Sequence, residues 1–548
     1  MAKKRKLKKE SFMQGVLVLM VSQVFIKILG LVYNLYLTNR SGFGDEGNAI
    51  YSSGFQIYAL LLTLSSVGVP NAISKLVSER LAKGDGKGAH RIFKIAFVTF
   101  AVIGLVGTLI LFFGAHFIAT SCLEIPEAEM TLVSLSPSIF FVAISSVLRG
   151  YFNGRENMTA TAKAQTLEQV FKAVLTIVFV EMIAVASKTN TILMAAGANL
   201  STTFATFLSF AYLFKYYKET RDDISVAIIK SIPQKQENIK CVIKKILAVS
   251  IPISLSALLS AINKNIDSFT VVRYLKAFLP EEVAKIQYGI LSGKVDTLTS
   301  LPLSFNIALA TALVPAISAA RAKGEKEVEI KRISFSLLVT ILLGIPCTIG
   351  MCVFAGPILN LLFPNASSGA LLLQISSFTI IFTVLAQTIN GALQGLGRVA
   401  IPAIALSCGV VVKLILNIVL IPIPSIGVNG AAIGSVVCHI ISFIIGLVVL
   451  KKTTQIKLGI GKFLIKPLLA GIMMGICSYF IYTKLLWILS ARVATLLAII
   501  LAVIIYGLAL LALKILSKEE IYMIPYGQKV YKVLVKLGIY RDSANPVE

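Results

Sequence analysis

The chain has 548 residues, of which 56% are apolar and 14% charged, and its mean hydropathy is +0.85. Soluble proteins of this size carry about 25% charged residues, so a large soluble enzyme is excluded and an all-α integral membrane protein is expected. The formal charge of +26 sits in short loops between apolar runs, which fits orientation in a membrane; nucleic acid is not an expected partner, because no basic module with stacking aromatics is visible.

The first apolar run follows the basic start Lys3-Lys4-Arg5-Lys6 and extends to about Thr38 without a small-residue cleavage site. It reads as a retained helix rather than a signal peptide. Runs bounded by charge, Gly or Pro predict about fourteen spans in all, near 12–38, 49–77, 92–119, 129–152, 160–186, 190–217, 245–274, 288–318, 334–362, 369–396, 399–422, 426–450, 463–484 and 487–515. No soluble catalytic domain fits in what is left.

The positive-inside rule supports this count if the amino terminus is cytoplasmic. The loop after the second span carries Lys75, Arg80, Lys83, Lys87, Arg91 and Lys94, and the loop after the sixth has eight Lys/Arg between Lys215 and Lys245. The loop after the third span has Glu124, Glu127 and Glu129 without Lys or Arg, and those after the ninth and eleventh have no charge. An even count returns the carboxyl terminus to the cytoplasm. One loop breaks the pattern: after the seventh span come Arg273, Lys276, Lys285 and Lys294, partly balanced by Glu281, Glu282 and Asp296. From about Ser517 the tail alternates Lys with apolar residues, and reads equally as an amphipathic helix on the inner leaflet or a solvated basic segment.

The seven cysteines lie in or beside apolar stretches without CxxC pairs, and His90, His116 and His439 are scattered. Neither a disulfide framework nor a metal site is expected, and no cofactor is implied. There is no GxSxG, Walker A or HExxH, so hydrolysis and ATP-driven transport by this chain are not expected; Gly84-Asp85-Gly86-Lys87-Gly88 reads as a hydrophilic loop.

The second half repeats the first. Val69-Pro70-Asn71-Ala72-Ile73-Ser74 matches Val314-Pro315-Ala316-Ile317-Ser318, with the prolines 245 positions apart. Ala82-Lys83-Gly84-Asp85 matches Ala322-Lys323-Gly324-Glu325, Arg91-Ile92 matches Arg332-Ile333, and Leu148-Arg149-Gly150 matches Leu393-Gln394-Gly395. Six spans per repeat, an even number, makes the repeats parallel. Two such bundles around a central cavity are an alternating-access architecture. The expected organisation is a basic amino terminus (1–11), two six-helix bundles (12–230 and 240–452), two additional helices (463–515) and a basic tail (516–548).

A charge at mid-bilayer costs at least about 2.5 kcal/mol, so charges inside spans should face a cavity or a partner. Gln23, Lys27 and Asn34 share a face of the first span. The fifth carries Gln165, Glu168, Gln169 and Lys172 as a stripe, with Glu168 and Lys172 spaced to pair. The seventh has Lys264 and Asp267, and the eleventh has Lys413 with Asn417 one turn on. For Lys27 and Lys413 no neighbour on the same helix neutralises the charge, which favours a cavity-lining role. Lysines converging on one cavity suit a phosphate or pyrophosphate, because a hydrated point charge can bind and release. Arg273, Lys276 and Lys294 are expected either to extend this field toward the outer mouth or to be solvated loop charges.

The segments Ile26-Lys27-Ile28-Leu29-Gly30-Leu31-Val32-Tyr33, Gly68-Val69-Pro70-Asn71-Ala72-Ile73-Ser74-Lys75 and Leu313-Val314-Pro315-Ala316-Ile317-Ser318 resemble the polysaccharide-exporter branch of the multidrug/oligosaccharidyl-lipid/polysaccharide (MOP) flippase superfamily, in particular its stage V sporulation protein B-like group and the related lipid II flippases. The resemblance spans essentially the whole chain. It implies a flippase that carries undecaprenyl-pyrophosphate-linked saccharide from inner to outer leaflet, with lipid II the first-ranked cargo. It also implies a polyprenyl-tail groove on the last two helices, and membrane lipids and cell-wall synthesis machinery as partners. In the lipid II flippases the first helix carries an Arg on each side of a Leu-Gly pair; here Lys27 keeps the first charge and Tyr33 replaces the second. Gln56 falls near a further basic position of that family, and Lys294 matches the basic residue at the start of the eighth helix. The expected headgroup site is therefore Lys27, Lys172, Lys264, Lys413 and Lys294, with Gln23, Asn34, Glu168 and Asp267 around it. The alternatives are export of another lipid-linked polysaccharide unit, a cation-coupled multidrug exporter, which would favour carboxylates in its cavity, and a membrane glycosyltransferase, which would need a larger outer loop.

Overall fold

The computed structural model describes residues 12–66, 68–155, 157–186, 190–229, 231, 238–322, 324–398, 400–517, 520–521 and 531. Some side chains within its helices, including those of Gln23, Lys27, Lys264 and Pro315, also lie outside the described set, as does most of the basic tail. Among the described residues the regular structure is entirely helical. The helices are α1 (Phe12–Asn39), α2 (Gly44–Ser66), α3 (Gly68–Ala82), α4 (Gly86–Phe117), α5 (Glu129–Gly154), α6 (Met158–Ala186), α7 (Thr191–Glu219), α8 (Arg221–Ile229) and α9 (Ile239–Leu275). There follow α10 (Glu281–Gly289), α11 (Asp296–Ala322), α12 (Lys326–Val353), α13 (Ala355–Leu362), α14 (Ala370–Gly395), α15 (Ile401–Leu420), α16 (Asn429–Thr454), α17 (Lys466–Leu485) and α18 (Ala491–Ala512).

Eleven helical stretches among the described residues are long and apolar enough to cross a membrane. Helices α1, α9 and α11 occupy the three other expected stretches. Apolar side chains such as Val98, Val102 and Phe113 of α4 and Val503 and Leu508 of α18 are exposed, as lipid-facing surfaces require. Pro137 and Pro346 lie inside α5 and α12, which membrane helices tolerate because neighbouring groups satisfy the freed backbone.

Several ends differ from expectation. The segment Gly86-Lys87-Gly88 opens α4, because Asp85 caps it by accepting from Gly88 N at 2.7 Å, a standard way to satisfy a helix's first amides. The helix carrying the eighth expected span begins ahead of its apolar run: α10 starts at Glu281 and passes through a π-helical turn, Ile290–Val295, directly into α11.

The duplication reappears in the packing. Gly84 and Gly324 both take a left-handed backbone, φ +72° and +75°. Both close the preceding helix with the same pair of bonds, Gly84 N to Leu81 O and Asp85 N to Arg80 O, then Gly324 N to Arg321 O and Glu325 N to Ala320 O. Such a helix end calls for a residue without Cβ. In the first repeat a Cβ on Gly150 would lie 2.8 Å from Pro70 O and 2.9 Å from Ile73 Cβ; in the second, one on Gly395 would lie 2.9 Å from Val314 O and 2.9 Å from Ile317 Cβ. The flanking cores match at several positions: Ile73, Ile92, Ala96 and Leu148 in one, Ile317, Ile333, Leu337 and Leu393 in the other.

The chain forms two compact units, residues 1–304 with 406–434, and residues 305–405 with 435–548. The first contains all the charged groups of the candidate site described below. The second contains a buried polar network in which Asn306 Nδ2 donates to Val384 O at 2.8 Å and Thr340 Oγ1 donates to Asn306 Oδ1 at 3.0 Å.

Candidate functional site

Lys172 lies at the middle of α6 and is 5% exposed. Its ammonium stands 4.0 Å from the ring centre of Phe55 on α2 and 5.2 Å from that of Tyr33 on α1, and Phe55 stacks on Tyr51 at 5.9 Å. Among the described residues no carboxylate and no hydrogen-bond acceptor meets it. The expected partner, Glu168, bonds instead to Arg149 Nη2 of α5 at 2.7 Å, and the same nitrogen reaches Ser209 Oγ at 3.4 Å. The reason is chemical: a guanidinium 8% exposed cannot shed its proton, so it holds the nearest carboxylate. Aromatic faces give a desolvated cation roughly 2 kcal/mol, which is less than the cost of at least about 2.5 kcal/mol of placing it there. Among the described residues they also leave its three N–H donors without an acceptor, so Lys172 is a buried cation able to receive an anion. One residue after Tyr33, Asn34 accepts through its carbonyl from Thr38 Oγ1 at 2.9 Å, and Thr38 accepts from Asn48 Nδ2 at 2.7 Å.

Lys413 is neutralised, contrary to the expectation drawn from its own helix. Its ammonium donates to Asp267 Oδ2 of α9 at 2.6 Å and to Asn263 O at 2.8 Å. Asn417, one turn later, donates to the other oxygen of Asp267 at 2.9 Å and to Thr270 Oγ1 at 2.9 Å. The helix opposite is close: a Cβ on Gly434 would lie 2.7 Å from Asn417 Oδ1.

The charges after the seventh span do not form an open positive field. Arg273 bonds Glu124 at 2.7 Å; Lys276 meets Glu281 at 3.0 Å and Glu124 at 3.8 Å; Lys285 meets Glu127 at 2.6 Å and Glu281 at 2.9 Å. Lys294, with its side chain fully buried, bonds Asp45 at 2.9 Å. Acids from the loops after the first and third spans thus compensate the bases that broke the charge rule. Close packing makes the last contact. A Cβ on Gly289 would lie 1.9 Å from Asp45 O and one on Gly293 2.7 Å from Asn48 Cγ, so these two glycines let α2 lie against the backbone of α10 and of the π-helical turn that follows it. Burial would depress the Lys285 ammonium, but hydrogen bonds to Glu127 and Glu281 outweigh it and raise its pKa; bonds from Lys285 and Lys276 hold the Glu281 carboxyl below its ordinary range.

Of the expected site, then, Asp267 and Lys413 come together, while Lys172, Lys294 and Lys413 have three separate sets of partners. The side chains of Gln23, Lys27 and Lys264 lie outside the described set. Arg149, Asp45 and Phe55 were not foreseen. Arg149 carried a readable signal, a charge within the run Val147-Leu148-Arg149. Asp45 and Phe55 carried none beyond their residue type.

Comparison with known proteins agrees with this scaffold. A family model described as "Polysaccharide biosynthesis protein" matches residues 12–321, and one described as "MatE" matches residues 252–419. Stage V sporulation protein B of Bacillus subtilis (strain 168) is 28% identical over 94% of this chain and 98% of its own length. Lipid II flippase MurJ of the same organism is 23% identical over 80% of this chain and 82% of its own length. A solved structure of lipid II flippase MurJ in an inward closed conformation superposes with a TM-score of 0.66 at 18% identity, covering 90% of this chain and 98% of that one. With the first family model spanning more than half of its length, this multi-pass membrane chain belongs to the polysaccharide biosynthesis protein family and shares the all-helical fold of that solved structure.

Proposed function

We propose that this chain is a flippase, not an enzyme, and that it moves an undecaprenyl-pyrophosphate-linked saccharide, lipid II in the first place, from the inner to the outer leaflet. The observation that carries the reading is Lys172, a mid-span cation that among the described residues meets only aromatic faces. A pyrophosphate entering there gains a charge-assisted contact without displacing an acid. Lys27 and Lys264 are proposed to join it, and Lys294 and Lys413 to contribute only when their pairs with Asp45 and Asp267 open. Rocking of the two six-helix repeats, with both termini in the cytoplasm, would carry the headgroup across, handing it to cell-wall synthesis machinery outside.

In proteoliposomes holding fluorescent lipid II, the wild-type chain should expose the headgroup to an impermeant quencher. K172A should slow this about 10- to 100-fold, the worth of one hydrogen bond to a charged group, while inserting and melting normally. Unchanged transfer in K172A removes Lys172 from the site. Depletion in the native host, read by mass spectrometry of undecaprenyl-linked precursors, identifies the cargo: trapped lipid II supports the peptidoglycan reading, and another trapped glycan keeps the mechanism and changes the substrate. The MatE match over residues 252–419 favours one rival, a cation-coupled multidrug exporter. It is ranked second because Glu168, Glu181 and Asp267, carboxylates within the spans, are each already bound to a base. Absence of any accumulated precursor, with redundant flippases removed, would reverse that order.

A further inference from the structure

Helix α3 crosses α9 so tightly at Gly68 that a Cβ there would lie 2.1 Å from Ser254 Oγ and 2.3 Å from Ser250 O. Farther along α3, a cavity of about 290 Å3 is lined by residues of α3, α4 and α9 and by Lys83. Its apolar lining is Leu76, Ile92 and Val242, the latter two belonging to the core of the first repeat. Its charged lining is Arg80, Lys83, Lys245 and Glu79, and with Asp85 bound to Arg80 the local excess is one positive charge. Glu79 also stands 4.0 Å from Lys75, one turn before it on α3. Arg80 is fixed in place by Asp85 at 3.0 Å, the residue that caps α4, whereas Lys83 and Lys245 are exposed. All of these residues adjoin the basic loops after the second and sixth spans, the end of the molecule assigned above to the cytoplasm.

The combination is specific. Three cations at a rim select a phosphate anion, but a free phosphate has no use for the Leu76, Ile92 and Val242 wall. A zwitterionic lipid would bring its own cation toward Lys83 and Lys245. Basic cavities between membrane helices on the cytoplasmic side are suited to anionic lipid headgroups. We propose that this cavity binds an anionic phospholipid, with its phosphodiester among Arg80, Lys83 and Lys245 and its glycerol end against Leu76, Ile92 and Val242. The site shares no residue with the proposed headgroup site around Lys172, so it goes beyond the flippase reading and stands or falls separately.

The test is native mass spectrometry of the full chain extracted from nanodiscs of phosphatidylcholine with an equal share of phosphatidylglycerol. Phosphatidylglycerol should be retained over phosphatidylcholine, and an excess of inorganic phosphate should leave it bound. K83A/K245A should reduce its retention about 10- to 30-fold, from the worth of two lysines at an anionic surface, with the melting temperature unchanged. K451A/K452A, removing two exposed lysines from the last turn of α16, should leave retention as in wild type. Equal retention in the two double variants, no preference for phosphatidylglycerol, or its full displacement by inorganic phosphate would each overturn the proposal.

Discussion

Asp267 and Lys413 are 10% and 2% exposed at their side chains and 2.6 Å apart, and neither can be removed alone without stranding the other. Loss of one member of a buried pair costs about 3 to 5 kcal/mol, whereas exchanging both for apolar residues of similar volume is near neutral. D267A should therefore melt far below wild type in detergent, and D267L/K413M should recover most of the loss. Equal melting of D267A and wild type would mean that the pair does not hold α9 to α15. The lysines themselves were legible in the sequence, because a charge in an apolar run stands out. Their partners were not: Asp267 lies 146 positions from Lys413 and Asp45 lies 249 from Lys294. Glu168 shows the same limit from the other side. Helical spacing offered it Lys172, and only the placement of α5 shows that Arg149 takes it.

Helices meet through glycines as much as through charges, and the contact of α2 with α10 tests this. A side chain on Gly289 must displace the Asp45 carbonyl, and overpacking of this kind costs about 1 to 3 kcal/mol or more. G289L should lower the melting temperature and weaken the Lys294–Asp45 pair. G507A, where a Cβ meets nothing within 4 Å and helix propensity improves, should melt no lower than wild type; a similar loss in both would show that the clash at Asp45 is not the cause. Hydropathy located most spans closely: α5 was expected at 129–152 and α14 at 369–396, and they run Glu129–Gly154 and Ala370–Gly395. It misplaced the start of α10 because Glu281, Glu282 and Lys285 look like loop residues until Glu281 and Lys285 are seen to be paired.

On the scale of the whole molecule, the charge cluster around Lys285 sets a pH window. Glu281, with its pKa lowered, contributes stability that is complete above the ordinary carboxylate range and is lost as pH falls through the lowered value. Lys285, with its pKa raised, contributes stability that is complete below the ordinary lysine range and is lost as pH rises through the raised value. Melting temperature should thus be flat between about pH 5 and 10 in this respect, and E281Q should flatten the acid limb; an unchanged acid limb would show that the cluster does not contribute. The duplication was the most legible global feature, since Gly84 and Gly324, and Gly150 and Gly395, do the same work in their own repeats. The neutralised bases carry a consequence for biogenesis. Chains fold from the amino terminus as they are made, so Asp45, Glu124 and Glu127 are already anchored when Arg273, Lys276, Lys285 and Lys294 emerge. The early half of the polypeptide thereby already carries the counter-charges that these later bases meet.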